Sequence, residues 1–227
     1  MKILSIGNKI QDNRFNMVNI TFSELNKVQD LESFDYILIS GGDGAIRRCI
    51  KTLHANHTNL PPFILNPIGS FNVIAKLHRV PHYSKVLNKL ANEEALSQKP
   101  QKFYSLNNEI FLFSAGNMGD LQHIFLSETL RFGILKKGIG KYLLAGLFLF
   151  PVHLIMTPFM LLSPRRFFIF TPASFITKFG SFYGKVKKEI HIDLENSYNL
   201  IELDGDVVTI EESILEIKSL GEVTIVK

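Results

Sequence analysis

The sequence predicts an α/β plus all-β protein: a Rossmann-like α/β domain over residues 1–98, then a β-sandwich domain over 99–227 carrying an inserted apolar helical segment at 128–162. Three observations predict it. Two strand–glycine turn–helix units follow one another in the first half, the pattern of parallel strands joined by helices. Short strand-like runs succeed one another in the last third with no helical periodicity between them, the pattern of an antiparallel sheet or sandwich. Between the two lies Tyr142–Leu162, 21 residues with no formal charge.

In chain order, Met1–Ile6 and Met17–Phe22 read as short strands, the second alternating at Val18, Ile20 and Phe22. Ser23–Glu32 is a polar connection. Tyr36–Ile39 is an apolar strand that turns through Gly41, Gly42 and Gly44 into a helix from Ala45 to about Ala55, with Ile46, Ile50 and Leu53 on one face. Phe63–Leu65 repeats this logic: a strand ends in Asn66-Pro67-Ile68-Gly69-Ser70-Phe71-Asn72 and a helix begins at Val73. Consecutive units of this kind put both turns at the C-terminal ends of parallel strands, the ligand-binding edge of an open α/β sheet. A helix over Tyr83–Leu96 follows, and the polar run Ser97–Lys102 marks a domain junction. Phe103–Leu106 and Glu109–Ala115 flank Asn107-Asn108 as a hairpin. Later strands are expected at 167–170, 188–194, 200–203, 207–210, 214–217 and 223–226.

The chain has 227 residues, is 46% hydrophobic and carries a net charge of +4. Its single cysteine, Cys49, excludes an internal disulfide framework and fits a reducing, cytoplasmic setting. The N-terminal apolar run is too short for a secretory signal. The seven His form no HExxH pattern, and one Cys leaves no Cys-based zinc site. No Gly-x-Ser-x-Gly elbow is present. The lysines at 185, 187 and 188 read as a solvated strand edge, so no nucleic-acid partner is expected.

The apolar stretch has basic flanks: Arg131, Lys136, Lys137 and Lys141 before it, Arg165 and Arg166 after it. Three readings stand: peripheral membrane contact, a buried core helix, or a true span. Two prolines and His153 speak against a span. The preferred reading is a helix docked on the β domain with apolar surface facing lipid, its flanks meeting anionic headgroups at about 1 kcal/mol per charge.

A strand that ends in glycines and hands over to a helix presents free N–H groups and a positive dipole end to phosphate. Asp43, within the first corner, would repel a bare phosphate, which suggests a metal-bridged phosphate or a ribose hydroxyl. The other reading of each motif is plain: a tight turn in any α/β domain, and, for Asp204-Gly205-Asp206, a hairpin turn.

Taken together, Gly41-Gly42-Asp43-Gly44, Pro67-Ile68-Gly69-Ser70-Phe71-Asn72 and Asp204-Gly205-Asp206 resemble the diacylglycerol kinase catalytic-domain family, the group of bacterial lipid kinases and sphingosine kinases. That family's pattern runs GGDGT, PxGTxND and a late DGE. Phe111–Gly116 and Arg131–Phe150 are similar to its following strand and helical stretch. The resemblance covers about residues 33–210. It implies nucleotide bound by a two-domain fold of the NAD kinase/diacylglycerol kinase type, and transfer of the ATP γ-phosphoryl group to diacylglycerol or a related lipid alcohol. It further implies that Gly41, Gly42 and Gly44 contact ATP phosphates, that Asn66, Gly69, Ser70 and Asn72 line the nucleotide pocket, that Asp43 holds Mg2+ through water, and that Asp206 is the base. Lipid, membrane surface and nucleotide are the expected partners. A homodimer is left open, and peripheral membrane association of a cytoplasmic protein is the expected location.

The sequence departs from the family pattern in places. Ala45 replaces Thr, Val73 replaces the Asp of the ND pair, and Asp206 is one methylene shorter than Glu. Tyr104 or Ser105 falls where many bacterial members carry another Asp. The first-strand phosphate motif is replaced by Ile6-Gly7-Asn8-Lys9, and the chain is shortened after Leu162. These departures keep open a catalytically inactive lipid- or nucleotide-binding relative. A relative of NAD kinase, which also carries a GGDG turn, is a third reading.

Overall fold

The computed structural model describes residues 1–117 and 140–227. Arg131, Lys136, Lys137 and the first part of the expected 128–162 segment lie outside the described residues, as do the side chains of Lys141, Tyr142 and His153. The chain forms two units: Met1–Phe103 with Gly221–Lys227, and Tyr104–Leu220.

The first unit is a parallel sheet with helices on both faces. Its strands are β1 (Lys2–Ile6), β2 (Asn16–Ile20), β3 (Tyr36–Gly41) and β4 (Phe63–Pro67). β2 pairs β1, β1 pairs β3 and β3 pairs β4, all parallel. The chain's last strand, running to Val226, adds beside β4 in parallel at Ile225 and Phe63. β3 is buried from Ile37 to Gly41, which explains its unbroken apolar run: both of its faces are covered. On one face Ile3, Leu38 and Ile64 pack with Val86, Leu87 and Leu90 of the helix Tyr83–Ala91. The alternate residues Leu4, Ile37 and Ile39 face the other side. There the helix α1 (Asp43–Asn56) packs on β3 and on a 3-10 turn at Phe22–Lys27. Ile46, Cys49, Ile50 and Leu53 form its buried stripe. A short helix, α2 (Val73–His78), follows β4, and Tyr83–Ala91 is α3.

Some boundaries differ from the sequence pattern for physical reasons. The strand expected to reach Phe22 stops at Ile20, because Thr21 N–H donates to the Glu24 carboxylate at 2.8 Å and starts the 3-10 turn. α3 stops at Ala91, where Glu93 takes a left-handed φ of 57° and Glu94 N–H returns to Lys89 O. The polar run Ser97–Lys102 is mostly strand: β5 spans Gln98–Leu106, and the two units meet along the chain between Phe103 and Tyr104.

The second unit is β-rich, with one core shared by two sheets. β5 forms a hairpin with β6 (Glu109–Phe111), as the Asn107-Asn108 turn predicts. β7 (Ser114–Gly116) then leaves for the other sheet, pairing β8 (Phe168–Phe170). β9 (Lys178–Phe179) and β10 (Phe182–Tyr183) extend that sheet beyond β8. β11 (Ile190–Asp193) pairs the last strand, β14 (Ile214–Val226), while β12 (Asn199–Leu203) and β13 (Asp206–Ile210) make a hairpin beside β7. Tyr104, Phe111, Ile192, Leu215 and Ile217 from one sheet meet Ala115, Ile169, Ile201, Leu203 and Ile210 from the other, which makes the unit a sandwich. β14 is one 13-residue strand where the sequence suggests two. Between the inward Ile217 and Val223 the same alternation falls on Ser219 and Gly221, so the apolar pattern lapses and hides the strand's continuity.

The apolar segment is a helix, α4 (Gly140–Leu162), with Pro151 and Pro158 inside it. At 1.5 Å per residue it is about 34 Å long. Ser181 N–H donates to Leu161 O at 2.8 Å and Ser181 Oγ donates to Ser163 O at 2.6 Å, fixing its C-terminal end on the β9–β10 turn. Gly180 (φ +56°) is required there because a Cβ would meet the Leu161 carbonyl.

Candidate functional site

β3 and β4 end level with each other: Gly41 is in register with Pro67. Each then turns into a helix, so the two glycine corners are neighbours. They touch at their glycines. A Cβ on Gly69 would lie 2.6 Å from Gly42 Cα and 2.7 Å from Asn72 Oδ1, so no larger residue fits without moving a corner. Gly42 stands at the N-cap of α1 with no side chain capping it. Ala45 and Ile46 N–H return to Gly42 O, and the first turn of α1 carries no side-chain cap at this edge of the sheet, the arrangement that attracts phosphate.

The Asp43 carboxylate does not point at that opening. Its Oδ2 accepts from Val73 N–H at 2.7 Å and its Oδ1 from Ile74 N–H at 3.0 Å. It thus caps α2, the helix of the neighbouring corner, and removes the repulsion that an acid beside a phosphate would cause. Burial pushes its carboxyl above the usual value, against the pull of the Ile74 and Val73 N–H groups and the Lys76 charge.

The second corner is held by its own asparagine. Asn72, left-handed at φ 49°, accepts from Gly69 N–H at 3.0 Å and donates back to Gly69 O at 2.6 Å. The Gly69 N–H is therefore already used, and Asn72 acts as the clasp of the turn. Asn66 Nδ2 donates to Ser40 Oγ at 3.0 Å, tying the ends of β4 and β3 together, and Ser70 is exposed.

In the second unit, Asp204-Gly205 is a two-residue hairpin turn between β12 and β13, with φ of 51° and 89°. Asp204 is buried, and its carboxylate accepts three backbone N–H groups, from Leu112 (2.7 Å), Phe113 (2.9 Å) and Ser114 (3.0 Å). Asp206 is half-buried at the first position of β13. Sequence reasoning missed Glu202, buried on β12, whose Oε1 accepts from Ser114 Oγ at 3.0 Å and from Gly205 N–H. No signal in the sequence marked it: Glu202 lies on the face of β12 opposite the core residues Ile201 and Leu203, where alternation predicts an outward polar side chain. Among the described residues no three His, Cys, Asp or Glu side chains gather as a metal cluster.

The fold is a Rossmann-like α/β unit joined to a β-rich unit. It is shared with a diacylglycerol kinase from Bacillus anthracis str. Sterne, at a TM-score of 0.57 and 15% identity over 99% of this chain and 95% of that one. A second structure from that organism, described as a candidate diacylglycerol kinase, gives a TM-score of 0.58 and 16% identity over the same shares. No curated protein matches the chain in sequence. Residues 16–102 match the model of the family "Diacylglycerol kinase catalytic domain", a stretch that contains both glycine corners. The resemblance to the diacylglycerol kinase catalytic-domain family is thereby shown over residues 16–102, and the solved structures show the shared fold.

Proposed function

We propose that the protein is an ATP-dependent lipid kinase that transfers the γ-phosphoryl group to diacylglycerol or a related lipid alcohol at a membrane surface. One observation carries the reading: the two corners that match the family abut at Gly42 and Gly69, leaving the uncapped start of α1 open for phosphate. Gly41, Gly42 and Gly44 would supply backbone to the ATP phosphates, with Asn66, Gly69, Ser70 and Asn72 shaping the nucleotide pocket. The lipid hydroxyl oxygen attacks the γ-phosphorus, the bond to the β–γ bridging oxygen breaks, and ADP leaves. Asp206 takes the hydroxyl proton in this reading.

Mg2+ fits the donors in a limited way. Such ions bind through one or two carboxylates plus substrate phosphates. Asp43 alone would serve through water, because both its oxygens already accept N–H bonds. The ion would neutralise phosphate charge.

Membrane attachment has its own support. On α4, Leu143, Leu147, Phe150 and Leu154 line one exposed strip, and Phe148, Ile155, Phe159 and Leu162 line the next, all more than 60% exposed. Covering such residues is worth about 1.5–3 kcal/mol each. Among the residues whose side chains are described, no helix is long and apolar enough to cross a membrane. Topology agrees: β7 and β8, on either side of α4 in the chain, pair in one sheet. A crossing would need a return leg through residues 118–139, which carry Asp120, Glu128, Arg131, Lys136 and Lys137. α4 is therefore read as lying in one leaflet.

Phosphoryl transfer from labelled ATP to diacylglycerol in mixed micelles tests the function. Transfer abolished by Asp206→Asn supports it. A folded wild-type chain that labels no lipid alcohol overturns it, and favours an inactive relative. That second reading rests on Val73, which supplies only its N–H to Asp43 where the family has a second acid. If it holds, Val73→Asp raises the affinity for magnesium-ATP.

A further inference from the structure

A cleft of about 340 Å³ opens at the foot of α4, lined by Asn117, Ser163, Arg165, Arg166, Asn196 and Asn199 with Leu194. Its lining is polar and cationic, whereas the helix above it is apolar. The backbone around it is well tied. Asn117 Nδ2 donates to Arg165 O at 3.0 Å, Asn117 Oδ1 accepts from Phe167 N–H at 3.0 Å, and Arg166 donates to Asn117 O at 2.9 Å. On the far wall Asn199 Nδ2 donates to Asn196 O at 2.6 Å and to Glu212 O at 3.1 Å. The cleft is a formed feature of the second unit.

We infer that this cleft takes the phosphate headgroup of an anionic membrane lipid while α4 lies in the same leaflet, an inference that rests on the membrane reading of α4. Depth and charge agree. Arg165 and Arg166 follow the last apolar turn of α4 after Ser163 and Pro164, so the cleft sits where an embedded helix ends and headgroups begin. Among the described residues the Arg165 guanidinium, 57% exposed, pairs with the equally open Glu195. An exposed pair of that kind is weak and exchangeable. A lipid phosphate offers the same guanidinium a two-pronged, charge-assisted contact, which is stronger. The Asn199 amide protons are spent on the cleft wall, so the Ser163 hydroxyl and the exposed Asn196 amide supply the neutral donors for the remaining oxygens.

Vesicle co-sedimentation of the full chain tests this, using phosphatidylcholine alone and phosphatidylcholine doped with phosphatidic acid. Phosphatidic acid tightens wild-type binding about tenfold, the equivalent of one charge-assisted bond. Arg165→Gln removes that gain and leaves binding to phosphatidylcholine unchanged. Glu195→Gln frees Arg165 and increases the gain. Lys188→Gln, elsewhere on the surface, leaves it intact. Full retention of the gain in Arg165→Gln overturns the inference, as does an equal loss in Lys188→Gln, which would mean diffuse attraction. Glycerol 3-phosphate bound through Arg165 with no added gain from vesicles also overturns it, in favour of a free phosphate. The parent reading fails separately: a Phe150→Asp/Leu154→Asp variant that binds phosphatidylcholine like the wild type, or a dimer in solution that covers α4, would remove the membrane itself.

Discussion

Asp43 and Asp204 invite comparison. Each sits in a glycine turn that the sequence marks for chemistry, one in each unit, and each spends its carboxylate on backbone N–H groups that are distant in sequence. Asp43 takes two, from the start of α2, and is drawn in against its desolvation. Asp204 takes three, gathering the turn between β6 and β7, and is as buried as the surrounding core. An acid between glycines is thus first a clasp that brings separate loops together. The unit with Asp43 keeps an open helix start beside its clasp. The unit with Asp204 uses the clasp to orient the hairpin that carries Asp206.

The comparison breaks most visibly at Asp204. Asp204→Ala leaves three N–H groups without their acceptor in a dry site, and unfolding free energy falls by about 3–5 kcal/mol. Asp204→Asn recovers part of that, because an amide oxygen still accepts. Urea denaturation of both variants measures it. A loss under about 1 kcal/mol would mean that the turn is held by the hairpin alone.

Gly69→Ala comes next. Its methyl would meet Gly42 Cα and Asn72 Oδ1, and the contact with Gly42 is backbone that cannot swing aside. Overpacking of this sort costs about 1–3 kcal/mol and parts the two corners. Thermal melts follow the cost, and nucleotide affinity should fall with it. Unchanged nucleotide affinity in a destabilised variant would separate the corners from nucleotide binding.

These tests also show what the sequence can and cannot express. The parallel strands and both corners were readable because apolar runs and glycines are local signals. The β5–β6 and β12–β13 hairpins were readable from Asn107-Asn108 and Asp204-Gly205 for the same reason. The partners of Asp43 and Asp204 were not: Ile74 is 31 residues from the first and Leu112 is 92 from the second. Both acids were legible as special, but a carboxylate that caps a distant turn and one that serves a ligand look alike in a chain. The return of Gly221–Lys227 to the first unit was hidden likewise, since strand pairing carries no local mark of its neighbour.

Asp43→Ala should cost less than either change above, about 1–2 kcal/mol, the loss of a helix cap. Its pH dependence has a definite sign. The folded carboxyl holds its proton more tightly than the unfolded one, so its contribution is fully present below the ordinary carboxylate value and is lost as pH rises through the raised folded value. Asp43→Asn cannot titrate. The stability of the wild type relative to Asp43→Asn should therefore fall across the acid range and level off above it. A rise instead would mean that the Val73 and Ile74 N–H groups outweigh burial.

The smallest effect is a rate. Cys49 lies in α1, about two turns beyond the open corner, with no exposed surface, and burial pushes its thiol far up. The thiolate is the reactive form, so a thiol reagent should label the native chain only through opening of α1. Each 1.4 kcal/mol removed from the corner then speeds labelling about tenfold, when reclosing is fast. Asp43→Ala, at about 1–2 kcal/mol, should speed it about five- to thirtyfold. Asp204→Ala should leave it unchanged if the two clasps act within their own units. Equal acceleration by both variants would show that the units open together, and the two acids would then guard a single cooperative structure.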